Sequence, residues 1–127
     1  MTDPLDKIFT TESEINPKIL AEILGLFVRI NSEDQSIFFT SEGTSLPTRN
    51  KLLLFLIAKK ALKYREKIKV EEISPNEIIN EIGIKAGTVH PALKSLRDEG
   101  LVLSKGGKYF VPNYLLDKVK KKLVKEG

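Results

Sequence analysis

Between residues 85 and 108 the chain gathers side chains that give and take hydrogen bonds at regular spacing. Thr88, His90, Lys94, Ser95 and Arg97 fall on the outer stripe of a helix expected over residues 86–99, and Lys85 stands just before it. Gly87 adds a position without a side chain, and Lys105 and Lys108 flank a Gly106-Gly107 pair further on. The stripe carries no acid until Asp98. Lysine and arginine neutralise phosphates, whereas hydroxyl, imidazole and guanidinium groups reach base edges. The set therefore suits double-stranded DNA, with Thr88 and His90 reading bases and Lys94 and Arg97 reaching bases or phosphates. Lys105 and Lys108 would lie on flanking backbone or in the minor groove.

Other chemistries lack their parts. His90 is the only histidine and there is no cysteine, so a metal site would need ligands that do not cluster here, and disulfides are excluded. No Gly-rich phosphate loop, paired carboxylates, or Ser with a usable base is present, so no catalytic residue and no cofactor is expected. Gly106-Gly107 reads as a turn.

The elements that must hold this stripe are legible in order. Asn16-Pro17 starts a helix with Ile19, Leu20, Ile23 and Leu24 at helical spacing, ending near Gly25. Residues 27–31 and 36–40 read as a hairpin around Ser32-Glu33-Asp34-Gln35, with Phe27, Ile30, Ile37 and Phe39 packing on another element. A polar turn over residues 44–48 leads into a helix over 48–64. Its run Leu52 to Ala58 is apolar all round, so it is the central helix, and Lys59, Lys60 and Lys63 are expected to point outward. A short edge strand fits residues 67–73.

Ser74-Pro75-Asn76-Glu77 is a capping box opening a second helix, with Ile78, Ile79 and Ile82 inward and Gly83 ending it. In the third helix Ala86, Val89, Leu93 and Leu96 form the inner stripe. Pro91 fits best if regular helix starts at Thr88, since its missing N–H is then one that has no partner anyway. Residues 101–104 and 108–111 are strands, joined by Gly-Gly in a type I′ turn. Leu115, Leu116, Val119 and Leu123 stripe a last helix whose other face carries Lys118, Lys120, Lys121, Lys122 and Lys125. That stripe packs within the chain or forms a dimer seam. The seam is preferred, because two third helices about 34 Å apart would read a palindrome.

This order is α+β, mainly helical, and describes a winged helix-turn-helix over residues 47–112. Residues 1–46 add an N-terminal helix and hairpin packed on the central helix, and residues 113–127 a basic amphipathic helix. One core is expected for 127 residues. No apolar run approaches the ~20 residues that span a bilayer, and the acidic MTDPLDKIF is not a secretory signal, so a cytoplasmic location is expected. Of 21 Lys/Arg and 17 Asp/Glu, residues 1–40 hold three and seven, a net of −4, leaving +8 for the remainder. That asymmetry fits a polyanion partner; the abundant Lys and Glu equally fit a thermophile-like surface.

Gly87 to Val102, GTVHPALKSLRDEGLV, resembles the recognition helix of PadR-type winged-helix transcription regulators. Gly87, Thr88, Pro91, Ala92, Leu93, Leu96, Gly100 and Leu101 match that pattern, and His90 stands where Tyr is usual. The broader winged-helix pattern, shared with MarR-like proteins, covers about residues 48–111. The resemblance implies DNA-binding transcription regulation, usually as a homodimer. It does not reach the N-terminal part. Nor does it extend to the segment that usually precedes the second helix or to a large C-terminal effector region. Two further readings stand beside it: a winged-helix adaptor that holds a protein through the acidic N-terminal region, and nonspecific, chromatin-type coating of DNA. No small-molecule effector pocket is evident.

Overall fold

The computed structural model describes residues 16–123; the readings made of residues 1–9 and of Lys125 lie outside them. The first helix, α1 (Pro17–Leu24), begins at the Asn-Pro signal. Asn16 Oδ1 accepts from the Lys18 N–H at 2.9 Å, which satisfies one of the first-turn donors. Strands β1 (Val28–Ile30) and β2 (Ile37–Phe39) form the expected antiparallel hairpin, with Val28 opposite Phe39 and Ile30 opposite Ile37. Phe27 and Val28 are buried, and Ile30, Ile37 and Phe39 pack against the core, as a marginal two-stranded sheet requires. A one-turn helix, α2 (Ser41–Thr44), precedes the expected polar turn. Thr40 caps it by accepting from the Gly43 N–H at 3.2 Å. Too short to show apolar periodicity, it left no pattern in the sequence.

Helix α3 (Thr48–Tyr64) is the centre of the molecule, and every residue from Leu52 to Ala58 is buried. Helices α4 (Pro75–Ile82) and α5 (Ala86–Asp98) follow. The hairpin β3 (Leu103–Lys105) and β4 (Lys108–Phe110) comes next, then a 3-10 turn (Asn113–Leu115) and α6 (Leu116–Leu123). One continuous core joins α1, β1, α3, α4, α5 and α6, so the three parts read from the sequence share it. Gly106 and Gly107 both take positive φ, 59° and 80°, as a two-residue type I′ turn demands. The edge strand expected over residues 67–73 shrinks to one bridge: Ile73 and Tyr109 exchange backbone bonds of 3.1 and 2.8 Å.

Four expectations are corrected. Lys60 does not point outward; it is fully buried beside Glu71, because α3 is covered on that side too. Ala86 is exposed, so the inner stripe of α5 begins at Val89. Regular helix starts at Ala86 and not at Thr88, since the Lys85 carbonyl already accepts from the Thr88 and Val89 N–H groups at 2.9 and 3.0 Å. Pro91 is therefore interior and costs the helix one backbone bond. Lastly, Leu116, Val119 and Leu123 are buried within the chain as α6 packs on α1, and Leu115 packs against the same core. A dimer seam on these side chains would have to displace α1.

The capping box is complete. Ser74 Oγ accepts from the Glu77 N–H at 3.2 Å and Glu77 Oε1 accepts from the Ser74 N–H at 3.2 Å. That backbone bond, followed by the Ser74 hydroxyl, holds the Glu77 carboxyl below its ordinary 4.5. A carboxyl depressed by folding stabilises fully above its unfolded value, and the contribution fades as pH falls through the folded value. Ser74→Ala is expected to cost about 1 kcal/mol at neutral pH. Melting curves of Glu77→Gln and wild type, followed by circular dichroism, should converge on acidification.

Candidate nucleic-acid interface

Helix α5 is fixed along one face and at one end. Val89, Ala92, Leu93 and Leu96 are buried, and the helix packs on α3 and α4. Its C-terminal end is pinned through Glu99. The Glu99 carboxylate takes the Arg49 guanidinium from the start of α3 and the Lys122 ammonium at 3.7 Å, while its carbonyl accepts from Lys118 Nζ at 3.2 Å. Lys120 meanwhile joins α6 to α1 through Glu22 at 2.8 Å. These lysines were expected on a solvated face; in the structure three of them tie α6 to its neighbours. The Arg49–Glu99 pair is not legible in the sequence, because partners fifty residues apart leave no local signal.

The N-terminal half of α5 is unencumbered. Lys85 makes no side-chain cap, and Ala86, Gly87, Thr88, His90 and Pro91 are exposed. Helical spacing sorts the outer residues into a crest and two shoulders. Gly87, Pro91, Lys94 and Asp98 form the crest, directly opposite the buried stripe. Thr88 and Ser95 lie on one shoulder, His90 and Arg97 on the other. The single stripe read from the sequence is thus broader than one row, with Thr88 and His90 on either side of Gly87. Lys94 and Asp98 approach to 3.9 Å, but both are mostly exposed, and a pair of that kind adds little.

Among the described residues, Lys85, Thr88, His90, Arg97, Lys105 and Lys108 make no ion pair and no side-chain hydrogen bond with another side chain. The two hairpin lysines sit directly opposite each other beside the Gly-Gly tip. Lys108 also lines a cavity of about 180 Å³ with Lys59, Glu72 and Glu77, so its charge stands beside the start of α4. The structure therefore gathers Lys85, Gly87, Thr88, His90, Lys94, Ser95 and Arg97 on one helix. Lys105 and Lys108 belong to a separate hairpin.

No protein-family model matches the chain. No curated protein and no solved structure matches it either. Among the described residues no three His, Asp, Glu or Cys groups converge as metal ligands, and no helix is long and apolar enough to cross a membrane. An open cavity of about 290 Å³ lies between the β1–β2 turn and the end of α3, lined by Ile30, Ala61 and Leu62 with Arg65 and Lys67 at its edge. Sequence patterning showed no such pocket, because its walls come from segments thirty residues apart. Chemically, the outer face of α5 offers donors and cations on a helix whose other face and C-terminal end are held.

Proposed function

We propose that residues 47–112 form a winged helix-turn-helix and that the chain is a cytoplasmic, sequence-specific double-stranded DNA-binding protein that regulates transcription. Helix α5 enters the major groove, and the β3–β4 hairpin lies on flanking backbone. One observation carries this reading: the outer face of α5 presents Thr88, His90, Lys94 and Arg97 with no intramolecular acceptor stronger than Asp98, while its opposite face is fixed in the core. The order α3, Ile73 bridge, α4, α5, hairpin supports it, because Ile73 adds a third strand position beside β4. A homodimer on a palindrome belongs to the same reading, formed through a surface other than the buried Leu116–Leu123 stripe; light scattering measures it directly.

Fluorescence anisotropy with labelled duplexes tests the proposal. Neutralising roughly six phosphates predicts an affinity loss of about 10³ between ~50 and ~200 mM salt. A protein that binds no duplex even at low salt overturns it. The adaptor reading has its own observation. Leu26 and Phe38, both within residues 1–46, are 58% and 52% exposed, apolar side chains that a protein partner would cover. Nonspecific coating would show the same salt dependence without any preferred sequence.

A further inference from the structure

Gly87 has no structural reason to be glycine. It lies inside α5 in ordinary helical conformation, it is exposed, and a Cβ built on it meets nothing within 4 Å. Glycine weakens a helix relative to alanine. One turn on, Pro91 removes the N–H that would bond the Gly87 carbonyl, which weakens the same turn again. By contrast Gly83, Gly106 and Gly107 all serve positive φ angles. Two helix-weakening residues thus stand at adjacent crest positions, and among the described residues nothing occupies the space a side chain at position 87 would take. The residues around them are slim as well: Ala86 and Thr88 are small and exposed.

We propose that Gly87 and Pro91 form a low crest that lets the α5 backbone approach the floor of the major groove, with Thr88 and His90 straddling the base pairs on either shoulder. The inference rests on the DNA-binding reading and names the contact point within it. A side chain at position 87 would hold the helix away from the bases. It would leave the lysine contacts to phosphate in place.

Gly87→Ala and Gly87→Leu test this in the full chain. Both are expected to melt no lower than wild type, with Ala melting higher. Affinity for a selected duplex is expected to fall about ten-fold for Ala and about a hundred-fold for Leu, the range spanned by one mismatched base pair. The salt slope is expected to stay unchanged, since the phosphate contacts survive. Wild-type binding with undiminished Gly87→Leu binding would overturn the close-approach inference alone. Wild-type protein with no duplex affinity would overturn it together with the DNA reading. A fall in melting temperature would assign Gly87 a structural role and overturn it as well.

Discussion

Replacing Lys60 with Met is expected to destabilise the chain by about 3–5 kcal/mol, the range found when one partner of a buried ion pair is removed. Lys60 is 0% exposed and Glu71 4%. The ammonium lies 2.9 Å from Glu71 Oε2 and 2.6 Å from Asn113 Oδ1. Lys63 also approaches the Glu71 carboxylate, at 4.0 Å, and is itself half exposed. Removing one partner of a buried pair is costly, whereas exchanging both partners for apolar groups of similar volume is often nearly neutral. Lys60→Met/Glu71→Leu is therefore expected to regain most of the loss. Urea denaturation of the two variants measures it. A single variant as stable as wild type would show that the pair does not hold α3 to the connector and to the turn before α6.

The second large effect is on binding. Lys94→Glu/Arg97→Glu is expected to weaken duplex affinity by at least about a hundred-fold at low salt, because each change removes a cation and adds an anion in the groove. The fold should tolerate both, since neither residue is buried and Lys94 loses only a 3.9 Å exposed pairing with Asp98. Anisotropy gives the affinity, and a far-ultraviolet spectrum with its melting curve checks the fold. Undiminished affinity in a folded double variant would remove α5 from the interface.

Local signals carried the fold a long way. Asn16-Pro17, the Ser74/Glu77 box and Gly83 at φ 81° act within a few residues, so their chemistry is written next to the element it ends or begins. Gly106-Gly107 fixed the hairpin for the same reason. Lys60 defeats local reading because its side of α3 is covered as well, and a lysine in such a helix looks like a surface lysine until Glu71 and Asn113 stand beside it. The Leu116–Leu123 stripe was ambiguous on similar grounds: periodicity reveals an apolar face, and only the fold shows that α1 covers it. At Pro91 the opposite holds: the local preference of proline for the first turn points to a start at Thr88, and the Lys85 carbonyl sets it at Ala86.

For the candidate interface, the sequence supplied the residue types, and the fold supplied their arrangement. Thr88 and His90 were placed on one stripe, whereas the helix sets them on opposite shoulders of Gly87. The sequence assigns Lys105 and Lys108 to flanking backbone or the minor groove, and the fold adds that Lys108 stands beside Glu77 at the start of α4. The anchoring of α5 through Arg49, Glu99, Lys118 and Lys122 was invisible, because it unites three distant segments.

In vitro selection from randomised duplexes, using the full chain at low salt, tests sequence-specific DNA binding most directly. An enriched sequence is predicted, with two half-sites about one helical turn apart if the dimer forms. Retention of no duplex, or retention without any enriched sequence, would contradict it.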